Sequence, residues 1–355
     1  MLTLLCLDGD GIGPEITAAA RRALAAAAEA TGTAITLERM AVGFEALEET
    51  GTTMPEAVIE RAHAVDGVVI GPVSHNTYPP AEEGGVNPSG TLRKRLALHA
   101  NIRPARSRHG VPTPTGSPVN MIVVRENLEG FYADRNMHEG PGEFMPVEGV
   151  ALAIRRITAE GSRRIAENAF GLARAQGRRR VTAIHKGNVM RVSDGLFLDT
   201  CRAVAARYPG IAYEEMLVDA AAALMVRHPG RFDVVLATNM FGDILSDLAS
   251  ELAGGLGLAA SLNVGERHAM AQAQHGSAPD IAGQNVANPT SLIASAAMLL
   301  DHLGRGEAAQ AINTALDACL ASSETRTPDL GGTLSTTAFT DMICRHIAAA
   351  GGGAP

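Results

Sequence analysis

Apolar residues come in short blocks separated by glycine-rich or charged stretches, and their spacing switches between strand and helix periods. Leu2 to Leu7 is an unbroken apolar run that stops at Asp8-Gly9-Asp10-Gly11-Ile12-Gly13-Pro14-Glu15 and gives way to the alanine-rich stretch Ile16 to Ala30. This order predicts a strand, a glycine turn and a helix, with Pro14 where a first helical turn tolerates a missing N–H. The pattern recurs. Gly67 to Ile70, Asn120 to Val124, Val181 to His185 and Phe232 to Ala237 predict further buried strands, Ala151 to Gln176 a long helix, and Asp247 to Leu252 part of another. Strands alternating with helices predict an α/β architecture. The Pro-, Gly-, Ser- and Thr-rich segment His109 to Pro118 predicts a connection near a domain boundary, and the tail Ala348 to Pro355 is expected to fray.

A chain of 355 residues is long enough for two domains and a sizeable core. Its 38 acidic residues outnumber 30 basic ones, so a general electrostatic grip on nucleic acid or on an anionic membrane is not expected, and the partner should be a small molecule. Cys6, Cys201, Cys319 and Cys344 lie far apart, which indicates neither a zinc site nor a disulfide framework and fits a reducing compartment. The first apolar run is too short for a secretory signal, and no stretch approaches the roughly 18 apolar residues of a membrane span. A cytoplasmic protein is expected.

Of the 30 basic residues only Lys94 and Lys186 are lysines. Where arginine serves for permanent charge, a lysine in the polar turn Ile184-His185-Lys186-Gly187-Asn188 hints at an amine that must lose its proton. Asp243 and Asp247 lie four apart and would share a helix face, and Asp219 follows Leu217-Val218 at a strand end. Such carboxylates suit Mg²⁺ or Mn²⁺, although an Asp pair alone is more often a solvated or capping face. Arg93, Arg103 and Arg125 could each hold a carboxylate through two nitrogens, and Tyr132 could act as a general acid. Gly9 to Gly13 does not fit the dinucleotide fingerprint G-x-G-x-x-G and is weak as a phosphate cradle. A second glycine loop, His275 to Gly283, followed by Asn285 and Asn288-Pro289-Thr290, suggests a ligand loop.

Together with Asn101 to Pro104, Val124 to Tyr132, Asn239 to Asp247 and Thr327-Pro328-Asp329-Leu330-Gly331-Gly332, these motifs resemble the β-decarboxylating dehydrogenases. That family includes isocitrate, isopropylmalate, homoisocitrate and tartrate dehydrogenases, and the resemblance runs almost end to end. It implies an isocitrate/isopropylmalate dehydrogenase-like two-domain α/β fold that is not a Rossmann fold. The larger domain would combine residues 1–99 and 252–355, and residues 100–251 would form a smaller, dimer-forming domain. It also implies that Ser89, Arg93, Arg103 and Arg125 bind the substrate and that Asp219, Asp243 and Asp247 ligate Mg²⁺ or Mn²⁺. Tyr132 and Lys186 would be the acid/base pair. His275, Gly276, Ser277, Ala278, Asp280, Ile281 and Asn288 would hold the cofactor. In the homodimers of this family active sites are shared, so Lys186 and Asp219 would serve the neighbouring subunit.

Asp280 favours NAD, because a carboxylate accepts from ribose hydroxyls and repels a 2′-phosphate. NADP-using relatives carry a Lys and a Tyr where this chain has Asp280-Ile281. Two positions depart from the family. Gln272-Ala273-Gln274 replaces a common Glu-Pro-Val, and Val86-Asn87-Pro88-Ser89-Gly90 replaces the Glu and Leu residues of isopropylmalate enzymes. Asn87 and Ser89 offer hydrogen bonds where an isopropyl group needs an apolar pocket, which favours a polar C3 substituent on the malate. The competing readings are isopropylmalate dehydrogenase proper and a non-catalytic regulatory subunit. The presence of Tyr132, Lys186 and all three aspartates speaks against the latter.

Overall fold

The computed structural model describes residues 1–132 and 137–351. In chain order the described strands are β1 (Leu2–Leu7), β2 (Ile35–Met40), β3 (Gly67–Ile70), β4 (Ala100–Arg106), β5 (Asn120–Glu126), β6 (Glu143–Val147), β7 (Val150–Ala153), β8 (Arg180–His185), β9 (Ala212–Leu217), β10 (Val234–Ala237), β11 (Leu262–Val264) and β12 (Ala269–Gln272). The chain divides into two compact units.

One unit holds Met1–Leu96, Arg108–Pro112 and the described residues from Gly254 onward, so it draws on both ends of the chain. Its strands run in the order β2-β1-β3-β12-β11, parallel except for the β11–β12 pair. β1 and β3 are buried runs without alternation, as expected where a parallel sheet is covered by helices. Helix Gly13–Thr31 packs against Thr290–His302, Gly306–Ala321 and Thr336–Gly351. The tail expected to fray is therefore helical as far as Gly351, and residues 352–355 of it lie outside the described residues.

The glycine turn after β1 has a packing explanation. Gly11 has φ +58°, a Cβ there would stand 2.0 Å from the Ser277 carbonyl oxygen, and the Ile12 N–H donates to that same oxygen at 2.8 Å. Gly11 and Ile12 thus form a seat for Ser277, while Gly9 and Gly13 pack closely on the Pro72 and Asp8 carbonyls. Gly11→Ala should cost about 1–2 kcal/mol from left-handed backbone alone, and the clash with the Ser277 carbonyl should add to that. Thermal melts check this, and a melting temperature equal to the parent's would refute the seating role.

The second unit holds Ala97–Ser107 and the described residues of Thr113–Ala253. Its sheet order is β4-β5-β10-β8-β9, with β4 and β5 antiparallel and the other pairs parallel. Side chains alternate across a strand, so Met121 and Val123 of β5 face the same way as Arg125. Met121, Val123, Ala105 of β4 and Val235 of β10 form one core with Phe241, Leu245, Ala249 and Leu252 of helix Asn239–Ala253. The predicted helix over Ala151 to Gln176 is corrected. Val150–Ala153 pairs antiparallel with β6 in an exposed hairpin, and the helix is only Ala159–Ala175. An apolar run cannot by itself tell strand from helix. The deciding signal is Thr158, whose hydroxyl accepts from the Gly161 N–H at 3.0 Å and caps the helix there.

Candidate active site

A polar cluster of the second unit lies where the sheet core gives way to polar residues. Asn101 and Arg103 continue the core-facing row of Ala105, and Arg125 continues that of Val123, so all three point at helix Asn239–Ala253. Asn239, Asp243 and Asp247 recur every four residues on that helix and form one stripe. A Cβ at Gly242 would stand 2.7 Å from the Arg125 side chain, so glycine there lets the arginine lie flat against the helix.

Arg125, only 2% exposed, donates to Asn239 Oδ1 from Nε at 3.0 Å and from Nη2 at 2.6 Å, to the Tyr132 hydroxyl at 2.7 Å, and to Asp243. The Tyr132 hydroxyl passes the chain on by donating to Asp243 Oδ2 at 3.0 Å. Arg103 Nη1 reaches Asp243 and Asp247 at 3.2 Å each and Ser246 Oγ at 2.8 Å, while its Nε donates to Asn101. Burial first, and then the Arg125 charge beside it, pushes the Arg103 guanidinium down to about 10. The two buried cations are balanced by the two carboxylates they share, which are 40% and 49% exposed, so the charged groups of the cluster are open to solvent on the aspartate side. The approach to Tyr132 is shaped by Glu126, which accepts the backbone N–H groups of Leu128 and Glu129 at 2.8 Å each.

Lys186 and Asp219 form a separate pair, with Nζ donating to Oδ1 at 2.6 Å. That bond holds the Asp219 carboxyl below the usual carboxylate range. Asp219 does not join Asp243 and Asp247 within the chain. Among the described residues no group of three or more His, Cys, Asp or Glu side chains is placed to hold a metal ion.

The remaining expected residues lie in the first unit. Ser89 Oγ and Arg93 Nη2 both donate to Gln272 Oε1, at 3.0 and 2.9 Å. The departure noted at Gln272 therefore sits on the two substrate-binding candidates of this unit. Asn87 spends its side-chain oxygen capping helix Pro88–Arg95 through the Gly90 N–H at 3.0 Å, so that oxygen is already occupied rather than offered to a substrate group. A cavity of about 250 Å³ is lined by Ile12, His275, Gly276, Ala278, Ile281 and Asn288 among others. Asp280 is exposed within the short turn Pro279–Ile281, and Ser277 bonds Ser74 at 2.7 Å. His275 Nδ1 bonds the Gly276 carbonyl at 2.9 Å, which assigns the proton to Nδ1 and leaves the buried Nε2 as an acceptor without a protein partner. Burial pushes the imidazole below its usual range, so it is neutral near pH 7. Asp329, also in the lining, accepts from Asn288 Nδ2 at 2.9 Å.

Sequence reasoning passed over Asn239, Ser246 and the orienting role of Asn101. The first two stand four and three residues from named aspartates on one helix, and the third stands two residues before Arg103 on one strand, so the periods alone could have found them.

An α/β chain with guanidinium groups, carboxylates and a phenol assembled in this way is an enzyme of the oxidative-decarboxylating dehydrogenase class. The isocitrate/isopropylmalate dehydrogenase family model matches residues 3–343. The chain is 42% identical over 347 residues to the mitochondrial catalytic subunit 5 of NAD isocitrate dehydrogenase from Arabidopsis thaliana, covering 98% of this chain and 88% of that protein. It is 42% identical over 342 residues to isocitrate/homoisocitrate dehydrogenase of Thermus thermophilus, covering 96% and 97%. The crystal structure of isocitrate dehydrogenase from Methylococcus capsulatus matches with a TM-score of 0.88 at 39% identity, covering 98% of this chain and all of that one. The chain belongs to the isocitrate/isopropylmalate dehydrogenase family, and its fold is that family's mixed α/β fold. No helix among the described residues is long and apolar enough to cross a membrane.

Proposed function

We propose that this enzyme oxidatively decarboxylates a 3-substituted (R)-malate with a polar C3 group, using NAD and Mg²⁺ or Mn²⁺, as a homodimer with shared active sites. The observation that carries this reading is the meeting of Arg103, Arg125 and Tyr132 with Asp243 and Asp247 on one helix face. Arg93, Arg103 and Arg125 would bind the carboxylates of the malate and Ser89 would also bind the substrate, residues 1–99 and 252–355 forming the large domain and 100–251 the dimer-forming one.

The donor set fits a hard divalent cation: Asp243 and Asp247 present carboxylate oxygens that are still partly open to water. Asp219, paired with Lys186, would serve the partner's site and complete the ligand set. Exposed Val189, Val192 and Ile244, and Met145, Val147 and Leu152 of the β6–β7 hairpin, give a second copy apolar surface to cover. The unpaired, buried Nε2 of His275 fits a cofactor donor in the cavity it lines with Gly276, Ala278, Ile281 and Asn288. Asp280, exposed beside that cavity, favours NAD over NADP.

When bound, NAD supplies a hydride acceptor and the cation a Lewis acid for the C2 oxygen. Lys186 takes the C2 hydroxyl proton, Arg103 and Arg125 hold the carboxylates, and Tyr132 delivers a proton to C3 after CO₂ departs. Isocitrate, homoisocitrate, isopropylmalate, tartrate and malate, each assayed with NAD and Mn²⁺, test the proposal. Reduced cofactor should form with an acid bearing a polar C3 group, much faster with NAD than with NADP, and not at all in excess chelator. Preference for isopropylmalate overturns the substrate assignment, and chelator-resistant turnover overturns the metal assignment.

A further inference from the structure

We infer that Arg155 is a positioning residue that locks the Lys186 turn to the helix bearing Asp243. This rests on the proposed roles of Lys186 and Tyr132. Arg155 carries none of the chemistry above, yet its side chain is 8% exposed and its ion-pair partner Asp194 is fully buried. Nη1 donates to Asp194 Oδ1 at 2.6 Å and to Ser193 Oγ at 2.9 Å, and Nη2 donates to Thr238 Oγ1 at 3.1 Å. The second oxygen of Asp194 accepts the Lys186 backbone N–H at 2.5 Å. The same guanidinium lies 5.6 Å from the centre of the Phe241 ring and 6.0 Å from that of Phe131.

Three functional segments therefore meet at one cation. Asp194 fixes the turn that carries Lys186. Thr238 and Phe241 flank Asn239 at the start of helix Asn239–Ala253, and Phe131 immediately precedes Tyr132. A buried ion pair is weak evidence for stability, because its desolvation cost offsets much of the attraction. What it provides here is geometry, since the planar fork addresses several acceptors in fixed directions at once. Displacing an acid/base group by about 1 Å costs on the order of 10²-fold in rate. If Lys186 serves the neighbouring subunit while Asp243 serves its own, the same guanidinium ties the half-site a chain lends to the half-site it keeps.

The test uses the full-length enzyme with NAD, Mn²⁺ and isocitrate, or whichever acid of the panel turns over fastest. Arg155→Met should lower kcat about 10²-fold with both KM values within threefold of the parent. The solvent deuterium isotope effect on kcat should rise, because proton transfer becomes the slow step. Arg155→Lys, which keeps the charge near Asp194 but loses the fork, should recover part of the loss. A folded Arg155→Met enzyme with kcat within threefold, or one slowed with an unchanged isotope effect, overturns the inference. If Arg155→Met does not fold, Arg155→Met/Asp194→Asn, which strands no buried charge and keeps an acceptor for the Lys186 N–H, carries the same expectations. Lys186→Ala is measured in the same assay: full activity there would refute the underlying acid/base reading, a result separate from any outcome at Arg155.

Discussion

Asp243→Asn is expected to lower turnover about 10³-fold at saturating Mn²⁺ while leaving the far-UV spectrum unchanged. Asp243 is where the site's interactions meet: it accepts from Arg103, Arg125 and the Tyr132 hydroxyl. The amide keeps the shape and one acceptor oxygen but loses the charge. A carboxylate ligand and a transition-state Lewis acid are worth several kcal/mol, and each 1.36 kcal/mol is tenfold in rate. Stability should also fall, by about 1–2 kcal/mol rather than the 3–5 of a fully buried pair, because Asp243 is 40% exposed and water compensates part of the loss. Calorimetric titration should show Mn²⁺ affinity falling at least tenfold. Turnover within tenfold of the parent would rule Asp243 out of the proposed metal site.

Much of this arrangement was legible in the sequence, for identifiable reasons. β1, β3, β5, β8 and β10 are buried runs whose apolar character is local, and the i,i+4 spacing of Asp243 and Asp247 states its own helix face. The hairpin β6–β7 was hidden, because Val150 to Ala153 is as apolar as a helix segment and its pairing with Glu143 to Val147 is not written in either strand alone. Strands β2 and β9 alternate only weakly and were not predicted. Arg155 was hidden for another reason. With so many arginines in the chain, nothing local separates a surface charge from one that Asp194, Ser193 and Thr238 bring inside, and those partners lie 38 to 83 residues further on. Gln272 was noticed only as a departure, since its contacts with Ser89 and Arg93 span 183 and 179 residues.

Lys186→Ala should lower kcat about 10³-fold, within the range for losing a positioned general base, and the melting temperature should hardly move. Asp219 is largely exposed, and ion pairs open to solvent contribute little to stability. The more discriminating experiment combines this dead variant with the dead Asp243→Asn variant. If Lys186 acts in its own chain, every site in the mixture carries at least one lesion and activity stays at background. If Lys186 reaches into the neighbour, each mixed dimer has one site with Asp243 from one chain and Lys186 from the other, both intact, and one site carrying both lesions. Random reassortment of equal amounts gives about half mixed dimers, hence about a quarter of parental activity. Recovery should require subunit exchange, so it should grow over time after mixing or appear on joint refolding. The placement of Lys186 beside Asp219, with neither bonded to the Asp243 cluster, favours the second outcome. Mixtures that stay inactive despite demonstrated exchange would return Lys186 to its own subunit's site and remove the need for a dimer in the chemistry.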